Sequence, residues 1–150
     1  MANRAEHDRL GALSGPGFTL LSASMRGAQA SAGEVLGSLI SSLLASSLPD
    51  ILEPADHANH RSTFHSKGFL ALVTLVAWPA LDAKRREQLD LAAVCAEQEA
   101  LCVLAEHKEY WRQQAAWHQF LAGLWGGGAP GYTSHLLADA QTPKGLPLFG

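Results

Sequence analysis

The fold class follows first from residues 82–125, DAKRREQLDLAAVCAEQEALCVLAEHKEYWRQQAAWHQFLAGLW, the longest stretch of the chain with a helical period. Apolar and small side chains recur in it at intervals of three and four residues, with charged side chains mostly between them. Asp82 is a suitable N-cap, a break is expected near His107, and the glycines at 126–128 are expected to end the helix as a flexible turn. The stretch therefore predicts a long amphipathic helix.

Helical patterns also occupy most of the remaining chain. Residues 27–47 are rich in Ala, Leu and Ser and stop at Pro49, and residues 66–78 begin at a candidate N-cap, Ser66, and stop before Pro79. A last helix is expected over residues 131–141. No stretch shows the sustained alternation of a strand. We therefore predict an all-α fold: one domain over 1–150, built as a single compact bundle of four to five helices, with its site between the helices and a histidine-rich loop.

Composition limits the cellular setting and the partners. The formal net charge is −3, with 11 basic and 14 acidic residues, so no basic face indicates a nucleic-acid partner. Cys95 and Cys102 lie two helical turns apart, which is too far for a disulfide within one helix. Two thiols and a polar start without an apolar leader predict a cytoplasmic protein.

Two apolar runs leave membrane association open. Val35–Leu48 and Gly68–Leu81 are mostly apolar or small, and each is shorter than the roughly 20 residues of a membrane-spanning helix. They are interpreted as two buried core helices, with shallow or re-entrant membrane contact as the alternative. The helix predicted over 82–125 could also join two copies of the chain through its apolar stripe.

Histidines and carboxylates gather in the loop between two predicted helices. The cluster consists of Asp50, Glu53, His57, His60 and His65. Pro49 and Pro54 block helix continuation there, and loops between rigid helices commonly carry ligands and catalytic groups. His57 is more simply explained as a solvated loop residue, and Arg61, between the last two histidines, could equally pair with a nearby carboxylate.

A second pair lies near the C-terminus. His135 and Asp139 are four residues apart, which places both on one helix face, where two donors can grip a single ion. Such a pair is more often an ordinary helix contact when it stands alone. Together with His60, His65 and Asp50, however, it offers enough N and O ligands for one or two metal ions. Mixed imidazole and carboxylate donors favour a divalent ion such as zinc, with manganese or iron as alternatives.

At these positions the chain resembles the YdjM-type proteins of bacteria and phages, which are described as metal-dependent hydrolases associated with the inner membrane. Three blocks carry the resemblance: residues 37–50, which end in Leu-Pro-Asp, residues 60–66 (HRSTFHS), and residues 131–149, which begin GYTSHLLAD. His7-Asp8-Arg9 is similar to the start of a related group of metal-binding proteins. Residues 82–125 depart from the pattern, because they are more charged than is typical of this family. This departure favours a soluble or peripheral version of the family.

The resemblance implies a helical fold related to zinc-dependent phospholipase C and P1-type nucleases, which cleave phosphoesters. It implies metal ligands at His7, Asp50, His65, His135 and Asp139, with His60 as a ligand or as a group that supports one. The first functional hypothesis is hydrolysis of a small-molecule, lipid or nucleotide phosphoester by a metal-activated water. Asp50 or Glu53, whichever does not bind metal, would act as general base, and Arg61 would stabilise the developing charge.

The competing hypothesis is a metal-stabilised helical module without catalytic activity. Such a module would bind a protein partner or a membrane surface through an apolar stripe of the long helix. The coordination sphere separates the two hypotheses, because an open position favours catalysis and a closed sphere favours a structural role.

Overall fold

Helices account for every regular element in a computed structural model of the chain, which describes residues 4–54, 63–141 and 145–148, with the backbone alone for residues 4–8. The elements are α1 (Arg4–Met25), α2 (Ala32–Leu52), α3 (Lys67–Leu72), a π-helical turn (Val73–Ala77), α4 (Trp78–Leu101) and α5 (Ala105–Ala140). The prediction of an all-α bundle is confirmed. Because α3, the π turn and α4 run on without a break, the bundle has four rods.

The first rod, α1, was not predicted. Its sequence contains Pro16 and three glycines, residues with poor intrinsic helix propensity, and it has only a weak apolar stripe. The helix is stabilised by packing against α2 and α5 rather than by its own propensity. The contacts that stabilise α1 come from distant parts of the chain, so the sequence of α1 alone does not predict this helix.

The second rod, α2, was predicted with shifted ends. It begins at Ala32 because Ser31 and Glu34 form a capping box: the Ser31 hydroxyl accepts the N–H of Glu34 at 3.1 Å, and the Glu34 carboxylate accepts the N–H of Ser31 at 3.2 Å. It continues through Pro49 to Leu52, so the predicted stop at Pro49 is wrong. The extra turn matters, because it carries Asp50.

A widened turn explains why Pro79 does not end the third rod. Ser66 caps α3 as predicted, since its hydroxyl accepts the N–H of Phe69 at 3.0 Å. Further along, the N–H of Trp78 reaches back five residues to the carbonyl of Val73 in the π turn. This wider turn gives the ring of Pro79 room that a regular α-helix lacks.

The long predicted helix is divided at one place and extended at another. The break falls at residues 102–104, where Cys102 and Leu104 have extended backbone, slightly before the expected position near His107. The predicted end at the glycines 126–128 is wrong, because α5 continues through them and through Pro130 to Ala140. The helix expected over residues 131–141 is therefore the last part of α5.

Close helix packing explains why these glycines are helical. Gly123, Gly127 and Gly131 are buried against the backbone of α2. A Cβ on Gly131 would lie 2.6 Å from the Cα of Ser42, so only glycine allows this approach. The two helices run in the same direction, with Gly123 beside Glu34 at one end and Gly131 beside Ser42 nearer the other.

Each of the three inner helices presents a row of residues spaced four apart, and we call these the small-residue rows. They are Gly11, Gly15, Thr19 and Ala23 in α1; Ser38, Ser42 and Ser46 in α2; and Gly123, Gly127 and Gly131 in α5. All are buried. α1 runs antiparallel to α2, since Gly11 meets Ser46 and Gly15 meets Ser42, whose hydroxyl donates to the carbonyl of Gly11 at 2.6 Å. The rows bring three backbones into direct contact.

The rows lead to one end of the bundle. Asp50 lies four residues after Ser46 in α2. His135 and Asp139 lie four and eight residues after Gly131 in α5. Position 7 of α1 lies four residues before Gly11. Because Gly11 lies beside Ser46 in the antiparallel helix α2, the backbone at position 7 lies at the level of Asp50. The packing of small residues therefore places the predicted ligand positions side by side.

Candidate metal centre

The turn that carries His65 is held from three sides. The N–H of Phe64 donates to Glu53 Oε1 at 3.0 Å, and the hydroxyl of Tyr132 donates to the carbonyl of Phe64 at 2.8 Å. The hydroxyl of Ser66 donates to the carbonyl of Thr63 at 2.7 Å. These bonds connect the turn to α2 and α5 and leave His65 completely buried.

The end of α5 supplies two further buried groups. His135 has no exposed surface and Asp139 is 2% exposed. Because they are one helical turn apart, His135 Nε2 lies 3.5 Å from Asp139 Oδ2. The predicted pair therefore faces the bundle interior, whereas an ordinary surface contact would face solvent.

Four donor atoms converge at this point. The Nε2 atoms of His65 and His135 are 3.3 Å apart. Asp50 Oδ1 lies 3.3 Å from the first and 3.6 Å from the second. Asp139 Oδ2 lies 3.6 Å and 3.5 Å from the same two nitrogens. Asp50, His65 and His135 thus form a group whose donor atoms could hold one metal ion.

The spacing of these atoms fits a small divalent ion. Zinc binds imidazole nitrogen and carboxylate oxygen at about 2.0–2.2 Å, and the edges of a tetrahedron of that size are about 3.3–3.6 Å long. The five donor–donor distances given above fall between 3.3 and 3.6 Å. Two nitrogens and two carboxylate oxygens also form a donor set that zinc, manganese and iron accept.

Glu53 has a different position from the one expected of a general base. Its Oε2 atom is 3.0 Å from Nδ1 of His65, on the opposite side of the imidazole from the Nε2 atom that meets the other donors. A carboxylate in this position fixes the tautomer and the orientation of the ring, so that Nε2 presents its lone pair to an ion. We therefore interpret Glu53 as a positioning residue.

The carboxylates also affect the protonation of His65. Burial of the ring lowers its pKa, but the hydrogen bonds with Asp50 and Glu53 and the nearby charge of Asp139 outweigh burial, so the pKa of His65 is raised. In the metal-free protein, His65 therefore holds a proton more strongly than a free histidine does. That proton occupies the place where an ion would bind.

The sequence-predicted residues divide into two groups. The structure brings together Asp50, His65, His135 and Asp139, with Glu53 in contact with His65. Position 7 belongs to α1, but the side chain of His7 lies outside the described part, and so do His57, His60 and Arg61. The roles predicted for His60 and Arg61 stay predictions.

Sequence reasoning missed two residues that the structure makes prominent. Tyr132, which holds the His65 turn, was not singled out, although its place one turn before His135 on α5 was a usable signal. Arg85 was not singled out either, and it is 1% exposed. Its guanidinium donates to Ser22 Oγ at 2.6 Å, lies 3.6 Å from Glu34 Oε1 and 3.4 Å from Asp82 Oδ1, and sits over the ring of Phe18.

The other two histidines whose side chains the structure describes lie on α5, outside this group of donors. His118 pairs with Gln88 at 2.8 Å across α4 and α5, and His107 is exposed. Trp117 stacks on Phe120 and is 53% exposed. Cys95 and Cys102 are both free thiols.

Within the described residues, one helix is long and apolar enough to cross a membrane by length and composition. It is α2, Ala32–Leu52, in which an 18-residue window has a mean hydropathy of 1.6 and is 33% buried within the bundle. The predicted Val35–Leu48 run lies inside it. The helix is thus apolar on its outer side, whereas its buried side carries the row of serines.

Comparison with known proteins gives one match. The sequence model of the family described as YdjM inner membrane protein matches residues 1–150. No curated protein and no solved structure matches the chain at a significant level.

Proposed function

The chain belongs to the YdjM inner membrane protein family over its whole length, and on that premise we propose that it is a membrane-associated, metal-dependent phosphoester hydrolase. The observation that carries the proposal is the convergence of Asp50, His65, His135 and Asp139 at separations of 3.3–3.6 Å. The membrane association in this proposal follows the description of the family and agrees with the apolar character of α2. It replaces the expectation of a cytoplasmic protein, which nothing supports.

Zinc is the ion that we assign to the site, held by these four residues. A divalent ion there supplies Lewis acidity and lowers the pKa of a water bound to it. We add His7 as a further donor, because the α1–α2 register puts position 7 level with Asp50. An imidazole ligand from α1 would connect this helix to the metal site.

Asp50 marks the side of the site from which substrate enters. Its side chain is 53% exposed, whereas those of His65, His135 and Asp139 are at most 3% exposed. A half-exposed carboxylate beside three buried donors is well placed to accept a proton from the attacking water. The three buried groups then hold the ion, Glu53 orients His65, and Asp50 combines contact to the ion with proton transfer.

The choice of a phosphoester carries forward the sequence-based expectation that the family is related to zinc-dependent phospholipase C and P1-type nucleases. In such a reaction negative charge grows on the phosphoryl oxygens, and Arg61 is the sequence-based candidate for stabilising it. A cationic group close to the half-exposed Asp50 would suit an anionic substrate.

The test uses the full chain purified in detergent. Metal content is measured by elemental analysis, and hydrolysis of bis(p-nitrophenyl) phosphate is followed with chelator and after zinc is added back. We expect about one ion per chain and activity that disappears and returns with zinc. Asp50→Asn keeps an oxygen donor at the same position but removes its basicity, so it is expected to keep most of the metal and lose most of the rate. A metal-loaded protein that cleaves no phosphoester would overturn the proposal.

A second function is favoured by the number of protein donors. Four convergent side chains from α2, the His65 turn and α5 are also what a closed structural zinc site requires. In that case the ion would only fasten the ends of the helices together, and the bundle would serve as a binding module. Removal of the metal would then lower the melting temperature, and no phosphoester would be cleaved at any metal loading.

A further inference from the structure

A band without charged side chains surrounds the middle of the bundle. Asp, Glu, Lys and Arg are absent from residues 10–25 of α1, 35–49 of α2, 68–81 of the third rod and 124–138 of α5. The four stretches lie side by side, because each rod runs between the same two ends of the bundle. We call this region the uncharged band.

Charged groups limit the band at both ends. Asp50, Glu53 and Asp139 lie at the metal-site end. At the other end, Arg85 meets Glu34 and Asp82. Glu34 and Asp50 are 16 residues apart on α2, so the band is about 24 Å tall. This is slightly less than the roughly 30 Å of a bilayer's hydrocarbon core, a difference that local thinning accommodates.

The outer surface of the band is apolar. A second row on α2, opposite its row of serines, consists of Leu36, Ile40, Leu44, Leu48 and Leu52, all of them exposed. Leu44 is 67% exposed, Leu21 of α1 is 62% exposed and Leu75 of the π turn is 76% exposed. Beyond the band, α4 and α5 continue as a hairpin with ion pairs on its surface, such as Arg112 with Glu99 at 2.8 Å.

The apolar row ends beside the site. Ile51 and Leu52 follow Asp50 directly and are 65% and 49% exposed. A bilayer that covers the uncharged band therefore brings its head groups to the level of Asp50 and its acyl chains to the level of Leu48. The half-exposed side of the metal centre then lies at the depth of a lipid's phosphate.

From this geometry we propose that the substrate is a lipid phosphoester, hydrolysed at the membrane surface while its acyl chains stay in the bilayer along the apolar row of α2. This inference rests on the proposed hydrolytic function and specifies its substrate class. The oxygen of water forms a new bond to phosphorus, one existing bond from phosphorus to an ester oxygen breaks, and that oxygen takes up a proton. No oxidant, reductant or further reactant is required.

The experiment compares one head group with and without acyl chains. The full chain in detergent or in phospholipid vesicles is given dihexanoyl phosphatidylcholine, below and above its micellar concentration, and glycerophosphocholine. We expect the rate on the lipid to exceed the rate on glycerophosphocholine, and to rise when micelles form. Both rates should vanish with chelator.

Two matched variants locate the effect on the structure. Leu52→Lys puts a charge at the end of the apolar row next to the site and should lower the ratio of lipid to glycerophosphocholine rates about tenfold. Leu101→Lys changes an equally apolar residue, 76% exposed, at the tip of the charged hairpin, and should leave that ratio unchanged.

The outcomes separate this inference from the function on which it rests. If glycerophosphocholine is cleaved as fast as the lipid, with the same chelator sensitivity, the lipid inference is overturned and the hydrolase stands. If neither compound nor bis(p-nitrophenyl) phosphate is cleaved by the metal-loaded protein, the hydrolytic function fails and the lipid inference fails with it.

Discussion

The Nε2 atoms of His65 and His135 lie 3.3 Å apart, although the residues are separated by 70 positions in the chain. One ring comes from a turn held by Glu53 and Tyr132, and the other from the end of the last helix. Two buried imidazoles at this distance, each also near Asp50 and Asp139, form a group of donors that could hold one metal ion.

Substitution of either histidine should abolish metal binding. We expect His135→Ala or His65→Ala to reduce zinc from about one equivalent per chain to below about a tenth, because two-coordinate or three-coordinate remnants bind zinc weakly. Elemental analysis after dialysis measures this. His118→Ala is the matched control, because His118 pairs with Gln88 away from the site. Full zinc occupancy in both site variants would exclude the assigned ligands.

Glu53→Gln should weaken the site and leave it in place. Glu53 contacts Nδ1 of His65, so its charge fixes the ring without itself meeting the other donors. Loss of such a supporting carboxylate typically lowers metal affinity about 10–100-fold. Competition with a chromogenic chelator gives the dissociation constant, and Glu87→Gln, an exposed surface change, serves as control. Unchanged affinity would show that Glu53 does not orient the ligand.

The stability of the protein should depend on pH in opposite ways with and without metal. The pKa of His65 is raised in the metal-free fold above its ordinary value of 6.5, so the folded state binds a proton more tightly than the unfolded chain. The resulting stabilisation is fully present below pH 6.5 and is lost as the pH rises through the raised value. With zinc bound, stability should instead fall on acidification, because protons displace the metal from its ligands.

Thermal unfolding at pH 6 and pH 8 measures both effects. The melting temperature of the chelated protein should be higher at pH 6, and that of the zinc-loaded protein should be higher at pH 8. Glu53→Gln removes one of the hydrogen bonds that raise the pKa of His65. It should therefore reduce the difference in melting temperature between pH 6 and pH 8 in the chelated protein. A chelated protein that is more stable at pH 8 would contradict the protonation assigned to His65.

The sequence predicted which side chains converge better than it predicted the ends of the helices that carry them. His135 and Asp139 were found from their spacing on a helix, and Asp50 and His65 from their place in a proline-bounded, histidine-rich stretch. The helix ends were wrong at Pro49 and at the glycines 126–128, and α1 was missed. In α1 and at the glycines of α5, local breakers are overruled by close contact with another helix, for example Gly131 against Ser42. Such contacts join distant parts of the chain, so local sequence rules cannot anticipate them.

The role of those glycines can be tested at two neighbouring positions. Gly131→Ala should destabilise the protein by about 1–3 kcal/mol, because its methyl group would overlap the backbone of Ser42. It should also weaken zinc binding, since His135 follows one turn later on α5. Gly128→Ala is the control: the nearest atom to its new methyl group is Leu81 Cδ1 at 3.9 Å, and alanine favours the helix by about 1 kcal/mol. Equal melting temperatures for the two variants would refute the close packing of α2 and α5.

The buried charges at the far end of the band provide the last prediction. Arg85 is 1% exposed and contacts Glu34, Asp82 and Ser22, so Arg85→Ala leaves the buried Glu34 without its main counter-charge. Breaking a buried ion pair on one side costs about 3–5 kcal/mol. Arg86→Ala is the matched control, because Arg86 pairs with the same Asp82 but its side chain is 72% exposed, and loss of an exposed pair costs less than about 1 kcal/mol. Chemical unfolding in detergent compares the two variants.

The double variant Arg85→Ala, Glu34→Gln should regain part of the lost stability, because no uncompensated charge then remains buried. Equal losses for Arg85→Ala and Arg86→Ala would show that the buried cluster does not hold α4 to α2.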